Sequence, residues 1–241
     1  MRSEGFQMKR FYVRHDRSSM PVGTDGVLLG AWCPIDVHLP LRVLDAGTGC
    51  GLIALMVAQR IAEMMGESGD WQVEGIDIDV DSAEQAGENF GASPWSRHLR
   101  ACQGDVRNWE GEYDLIVSNP PFFNQALASP DRRRAQARQA GVTMAFGDLT
   151  SAARRLLTAR GQMALILPAS EEEAMTQAAT KNKLYIEERC TVSSKEGAAP
   201  NRVMMLLGRE TVNIKSEHIV LTSANGYRSE QYQQMTREFY L

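Results

Sequence analysis

The residues best suited to chemistry lie in the run YDLIVSNPPFFN, positions 113–124. Tyr113 to Val117 is a short apolar run of the kind that fills a buried parallel strand, and it breaks off into Asn119, Pro120, Pro121 and Phe122. Neither proline can donate to a sheet ladder, and each biases the residue before it towards extended backbone, so the chain must leave the sheet in a stiff turn. Such a turn holds an amide side chain, a carbonyl and an aromatic ring at the carboxyl end of a strand, where open α/β sheets place their ligands. Asn119 Oδ1 and the Pro120 carbonyl can each accept one N–H of a planar amine, with Phe122 stacked on the ring that bears it. Taken alone, NPPF fits a rigid strand exit without chemistry equally well.

A second constellation supplies what that amine would react with. LDAGTGCG (44–51) follows an apolar run and opens a long helical pattern. Gly47, Gly49 and Gly51 permit a tight turn and close backbone approach to a ligand, and a helix amino terminus offers unpaired N–H groups. The spacing is not the dinucleotide fingerprint, which would need glycine where Leu52 stands. Asp45, Asp77 and Asp105 fall at the ends of successive predicted strands, so they line one edge of a sheet. A carboxylate at the second strand end can accept both hydroxyls of a ribose, and one at the third can accept from an adenine amino group. Acids near strand ends also cap the helices that follow, and Asp105 alone suits that role as well. Together the three favour an adenosine-containing ligand.

The elements that must position these groups alternate regularly. LRVLDA (41–46), WQVEGID (71–77), LRACQGD (99–105), YDLIVSN (113–119) and GQMALILP (161–168) read as strands. Helical patterns at 51–65, 81–90, 147–159 and 170–181 intervene, which implies a parallel sheet covered on both faces. LYIEERCTV (184–192) and RVMMLLGRE (202–210) leave no room for a crossover helix and pair as an antiparallel hairpin, after which EHIVLT (217–222) offers one more strand and 229–241 a last helix. Residues 1–40 break the alternation with a hairpin and a short helix from Thr24, read as an extension packed on a core domain spanning 41–241.

At 241 residues, 43% apolar and 23% charged with net charge −4, the chain is an ordinary globular protein without a global basic field. Cys33, Cys50, Cys102 and Cys190 have neither metal-ligand nor redox spacing. No signal peptide or membrane-spanning apolar run is visible, which points to the cytoplasm.

DAGTGCG, Asp77 and the terminal hairpin resemble the class I S-adenosylmethionine-dependent methyltransferases. The resemblance implies a Rossmann-like α/β fold, with a seven-stranded, mostly parallel sheet and an antiparallel carboxyl-terminal hairpin. It implies S-adenosyl-L-methionine as cofactor, held by Asp45, Gly47, Thr48, Gly49, Gly51, Asp77, Ile78, Asp105, Val106 and Asn119, with no metal. NPPF resembles the nitrogen-methylating branch, which includes adenine N6, guanine N2 and protein glutamine methylation, and the tetrapeptide does not choose among them.

Two basic clusters bear on that choice. Lys9, Arg10, Arg14, His15 and Arg17 are interleaved with Phe11 and Tyr12, and Arg132, Arg133, Arg134 and Arg138 follow the catalytic turn. Basic residues beside aromatics suit a distorted RNA loop, although a solvated charged face looks the same. A narrower resemblance decides. FYVRHDRSSMPVGTDGVLLGAW (11–32), SPW (93–95), NPPFF and the terminal FYL resemble the bacterial tRNA(Val) adenine-37 N6-methyltransferase family over nearly the whole chain. That family implies methylation next to the anticodon, with Thr24 and Asp25 helping to close the cofactor pocket, and a monomer is expected although nothing in the sequence fixes the oligomeric state. A guanine-N2 rRNA or protein glutamine methyltransferase, or a non-catalytic RNA-binding module, is the alternative. Leu52 disfavours a nicotinamide enzyme.

Overall fold

In the computed structural model, which describes residues 4–18, 20–36, 40–66, 68–120 and 145–240, one sheet organises the chain. Its strands are β3 (Leu41–Ala46), β4 (Trp71–Asp77), β5 (Leu99–Gln103), β6 (Tyr113–Ser118), β7 (Leu157–Pro168), β8 (Tyr185–Ser193), β9 (Arg202–Gly208) and β10 (Lys215–Val220), in the order β10-β8-β9-β7-β6-β3-β4-β5. β9 runs antiparallel to both neighbours, β7 and β8, and the other pairings are parallel. The expected seven strands become eight because Lys215–Val220 pairs in register with Glu188–Ser193. The chain winds outward from β3 in one direction through β4 and β5 and in the other through β6 and β7. The β3/β6 junction is therefore the topological switch point, where a ligand crevice opens at the carboxyl ends of the strands.

Helices cover both faces. Val43 and Leu44 alternate across β3, and each enters a different hydrophobic cluster. α1 (Thr24–Trp32) and α2 (Leu52–Met65) bury their apolar residues in the first cluster, as does Phe90 of α3 (Val80–Gly91). α4 (Phe146–Leu156) and α5 (Glu172–Lys181) build the second. β3 and β6 are buried on both faces over their carboxyl halves, which is why the runs at 41–46 and 113–118 read as continuous apolar segments rather than alternating ones. No helix among the described residues is long and apolar enough to cross a membrane.

The amino-terminal hairpin pairs β1 (Gly5–Gln7) with β2 (Tyr12–Arg14), buries Met8 and Val13 completely, and meets the chain end: the Lys9 backbone N–H donates to the Phe239 carbonyl at 2.9 Å. Several boundaries differ from the sequence reading, two of them for a visible reason. α3 starts at Val80 with Asp79 as its cap, ahead of the expected Asp81–Ser82 start. α4 stops at Leu156 instead of continuing to 159, because Leu157 already pairs with Tyr113 in the sheet. The final helix, α6 (Glu230–Thr236), begins as expected, capped by Ser229, and a tail follows it, as the reading of 229–241 as helix and tail anticipates.

Candidate active site

The turn after β3 is built on left-handed backbone. Gly47, Gly49 and Gly51 have φ of 79°, 55° and 84°, values that side-chain-bearing residues rarely adopt. A Cβ on Gly51 would also lie 2.5 Å from the Phe90 ring. The loop's N–H groups turn inward: Gly47 and Thr48 donate to the Ile76 carbonyl at 2.9 Å each, Gly51 to the Thr48 carbonyl at 2.8 Å, and Gly49 to Asp77 Oδ2 at 2.9 Å. The expected array of unpaired donors is thus largely satisfied within the protein. A loop so arranged is no pyrophosphate cradle, but it leaves carboxylates and carbonyls available to a ligand that carries donors.

Asp45 lies beneath this loop, fully buried. Its Oδ2 accepts from Thr48 Oγ1 at 2.7 Å and from the Ala54 N–H at 3.2 Å, while Oδ1 is buried with no partner among the described residues. Burial pushes its carboxyl up to about 7, against the lowering effect of those two donors. Asp77 is also raised, chiefly by burial, although the Asp79 and Gly49 N–H groups hold its oxygens. Asp79, the other acid of GIDID, caps α3 through Ser82 N–H at 3.0 Å and Ser82 Oγ at 2.7 Å, which leaves Asp77 as the strand-end acid facing the crevice. Asp105 sits past β5 in a turn where it accepts from the Arg107 backbone and guanidinium, and that partner holds its carboxyl below the usual range. Ile78 is exposed beside Asp77, and Val106 is buried.

Across the switch point, Ser118 Oγ donates to the Ala46 carbonyl at 2.7 Å and locks the end of β6 to the end of β3. The next residue, Asn119, is half-buried, and its Oδ1 is again a buried acceptor without a partner among the described residues. Pro120 is buried; Pro121 and Phe122 lie outside the described residues, as do Arg132, Arg133, Arg134 and Arg138. Thr24 and Asp25 form the first turn of α1. Gly26 of that turn packs on Leu52 at the start of α2, and Asp25 accepts from Arg202 Nε at 2.9 Å at the foot of β9. One edge of the sheet therefore gathers Asp45, the glycine loop, Asp77, Asn119, Thr24 and Asp25.

The amino-terminal basic residues do not form a free cationic patch. Lys9 Nζ donates to the Arg237 carbonyl, Arg10 pairs with Glu63, Arg14 with Asp16, and Arg17 with Glu84 and Glu88. His15 is buried, its Nδ1 accepting from the Val22 N–H at 3.3 Å. Glu63 lies in the last turn of α2, roughly 16 Å along the helix from the glycine loop at 1.5 Å per residue, so Arg10 is remote from the crevice.

Sequence reasoning passed over Gly75. A Cβ there would lie 2.7 Å from Thr48 Oγ1, the hydroxyl that holds Asp45, and the signal was available as a lone glycine inside a strand.

Comparison with known proteins places this geometry. The methyltransferase small domain family matches residues 34–183. The chain is 40% identical over 242 residues to a tRNA1(Val) (adenine(37)-N6)-methyltransferase of Tolumonas auensis, covering 100% of this chain and 98% of that protein. It is 42% identical over 241 residues, with the same coverages, to the protein of that name from Aeromonas salmonicida. Among solved structures, a predicted O-methyltransferase from Agrobacterium tumefaciens superposes with a TM-score of 0.69 at 14% identity, over 89% of this chain and 96% of that one, a likeness of fold alone.

Proposed function

This chain belongs to the tRNA1(Val) (adenine(37)-N6)-methyltransferase family, and we propose that it methylates N6 of adenine 37 in the anticodon loop of that tRNA, using S-adenosyl-L-methionine. The carrying observation is Asn119 Oδ1 at the end of β6, buried with no partner among the described residues and locked beside the cofactor loop by the Ser118–Ala46 hydrogen bond.

An exocyclic amine on adenine is a poor nucleophile because its lone pair is delocalised into the ring. In our reading, Asn119 Oδ1 and the Pro120 carbonyl accept its two N–H groups, which aims the nitrogen and favours the pyramidal geometry of attack, while Phe122 stacks on the base. The cofactor supplies an electrophilic methyl on sulfonium. Asp45, through the Oδ1 that has no partner among the described residues, the loop 47–51 and Asp77 would hold it, with Thr24, Asp25, Ile78, Asp105 and Val106 closing around it. The methylated ammonium is strongly acidic and loses its proton to solvent, so no dedicated base is needed. We assign tRNA contact to Arg132, Arg133, Arg134 and Arg138, since the basic residues of the amino-terminal hairpin have acidic or carbonyl partners. The enzyme acts, on this reading, as a cytoplasmic monomer without a metal, with residues 1–40 as an extension of the catalytic domain.

Methyl transfer from labelled S-adenosylmethionine to tRNA lacking N6-methyladenosine, followed by nucleoside mass spectrometry, tests the reaction. N6-methyladenosine is the expected product; a methylated guanine, or label found only in protein, overturns the assignment. Asn119→Ala is expected to reduce turnover by at least ~100-fold with cofactor affinity nearly unchanged, the magnitude typical of a lost transition-state hydrogen bond. Equal loss of both would contradict the role given to Asn119.

A further inference from the structure

α3 exposes Asp81, Glu84 and Glu88 but buries a stripe of polar side chains, Ser82, Gln85 and Asn89, which a helix does only when something polar lies against it. Gln85 and Asn89 are one turn apart on that face, 0% and 3% exposed. Gln85 Oε1 accepts from the backbone N–H groups of Arg17 at 3.2 Å and Ser18 at 2.8 Å, and its Nε2 donates to Asp16 Oδ1 at 2.8 Å. Asn89 Oδ1 accepts from the Arg14 N–H at 3.0 Å, and its Nδ2 donates to two carbonyls at 2.8 Å each, Arg14 and Cys50. The first is the last residue of β2, where the strap leaves the amino-terminal hairpin, and the second belongs to the glycine loop. One amide therefore fixes both segments in a single arrangement.

That arrangement lays the chain after β2 across the outside of the loop. A Cβ on Gly49 would lie 3.4 Å from Ser18 Oγ and 3.9 Å from the Met20 carbonyl. Ser18 Oγ donates to the Met20 carbonyl at 3.1 Å, which keeps these two residues in a closed turn, and Met20 is left 38% exposed at the crevice edge. Arg17 reinforces the attachment from the solvent side through Glu84 and Glu88.

We propose that Asn89, supported by Gln85, is a positioning residue for the cofactor: it clamps the strap of residues 14–18 and Met20 onto the glycine loop, so that the strap forms the outer wall of the cofactor pocket. The inference rests on the reading that the loop at 47–51 holds S-adenosylmethionine. A clamp of this kind acts on cofactor affinity and leaves the chemical step alone, whereas a hairpin merely glued to the core would affect stability only.

Three variants and one exchange measurement test it in the full chain. With Asn89→Ala, the Kd and KM for S-adenosylmethionine rise about tenfold, the consequence of losing buried hydrogen bonds that order the loop, while kcat at saturating cofactor and the KM for tRNA stay within about twofold. Gln85→Ala, which frees the strap without touching Cys50, raises the same constants in the same direction. In the wild-type protein, S-adenosylmethionine slows amide hydrogen exchange at residues 14–18, and Gln85→Ala abolishes that protection. A folded Asn89→Ala protein with wild-type cofactor affinity, or exchange at 14–18 that ignores the cofactor, overturns the proposal. If Asn89→Ala fails to fold, Gln85→Ala and the exchange data decide it. Asp45→Asn separates the two readings: weakened binding there with normal binding in both α3 variants sinks the clamp alone, and normal binding in all three sinks the assignment of the loop as well.

Discussion

At the scale of single residues, Asp45 carries the sharpest consequence. Its carboxyl moves from an ordinary 3.8 to about 7 because burial penalises the charge. A folded-state value raised in this way stabilises the cofactor-free protein fully below about pH 4, and that contribution is lost as pH climbs through about 7. Asp45→Asn, neutral throughout, should therefore gain on the wild type in melting temperature between pH 5 and pH 8, by about 2 to 4 °C for each kcal/mol recovered; a gap that does not change with pH would contradict this. Any donor delivered to Oδ1 favours the ionised form, so cofactor binding should weaken as pH falls below about 7. Gly75→Ala pushes a methyl against Thr48 Oγ1, the donor on which Asp45 relies. Destabilisation of about 1–3 kcal/mol with weakened cofactor binding is expected, measured by thermal melting and calorimetry. Asp45 and the three loop glycines were legible in the sequence because their spacing encodes a local turn. Gly75 was legible only as a lone glycine inside a strand, and Gln85 and Asn89 were not legible at all, since their partners lie 39 to 75 residues away.

At the scale of elements, local pattern predicted which segments form and missed where they stop. The run after α4 is a good helix former through Leu157, Thr158 and Ala159, yet the chain turns into β7 there. The reason lies downstream: the Arg209 guanidinium donates to the carbonyls of Arg154 at 2.9 Å, Leu157 at 2.5 Å and Thr158 at 3.0 Å, closing the helix end with a charge that suits its dipole. Arg209→Ala should cost about 1–3 kcal/mol in denaturant unfolding, while Arg209→Lys, which lacks the planar fork, recovers only part of it. The start of α3 was misplaced for the opposite reason. Asp79 and Asp81 both suit an N-cap, and only the strand end at Asp77 decides which is used.

At the scale of the whole molecule, the two chain ends are joined through α2. Gln59 Nε2 donates to the Glu238 carbonyl at 3.0 Å, Lys9 N–H to that of Phe239 at 2.9 Å, and the Tyr240 ring meets Phe6 edge-on at 6.0 Å. Phe239 is almost fully buried in the cluster shared by α1 and α2, so Phe239→Ala should destabilise by about 3–5 kcal/mol and lower the melting temperature of the whole domain in one transition. The terminal FYL thus has a packing reason within this fold. The amino-terminal basic residues carried an expectation of RNA contact because they are interleaved with Phe11 and Tyr12, and folding pairs them with Glu63, Asp16, Glu84, Glu88 and a carbonyl near the carboxyl end, while Arg10 and Arg14 stay about half exposed.

From the sequence alone came the parallel alternation, the hairpin near the carboxyl end, the glycine turn after β3 and the end of β6 at Ser118, all features written in periodicity, glycine spacing and proline stiffness over a few residues. Only the tertiary structure decided the register that joins the last strand to β8, the inward-facing loop N–H groups, the partners of the amino-terminal basic residues Arg10 and Arg17, and the binding of the amino-terminal strap to the glycine loop by Asn89. Each of these is a hydrogen bond or a packing contact between segments far apart in the chain, and such partners are chosen by the fold as a whole, not by the residues beside them.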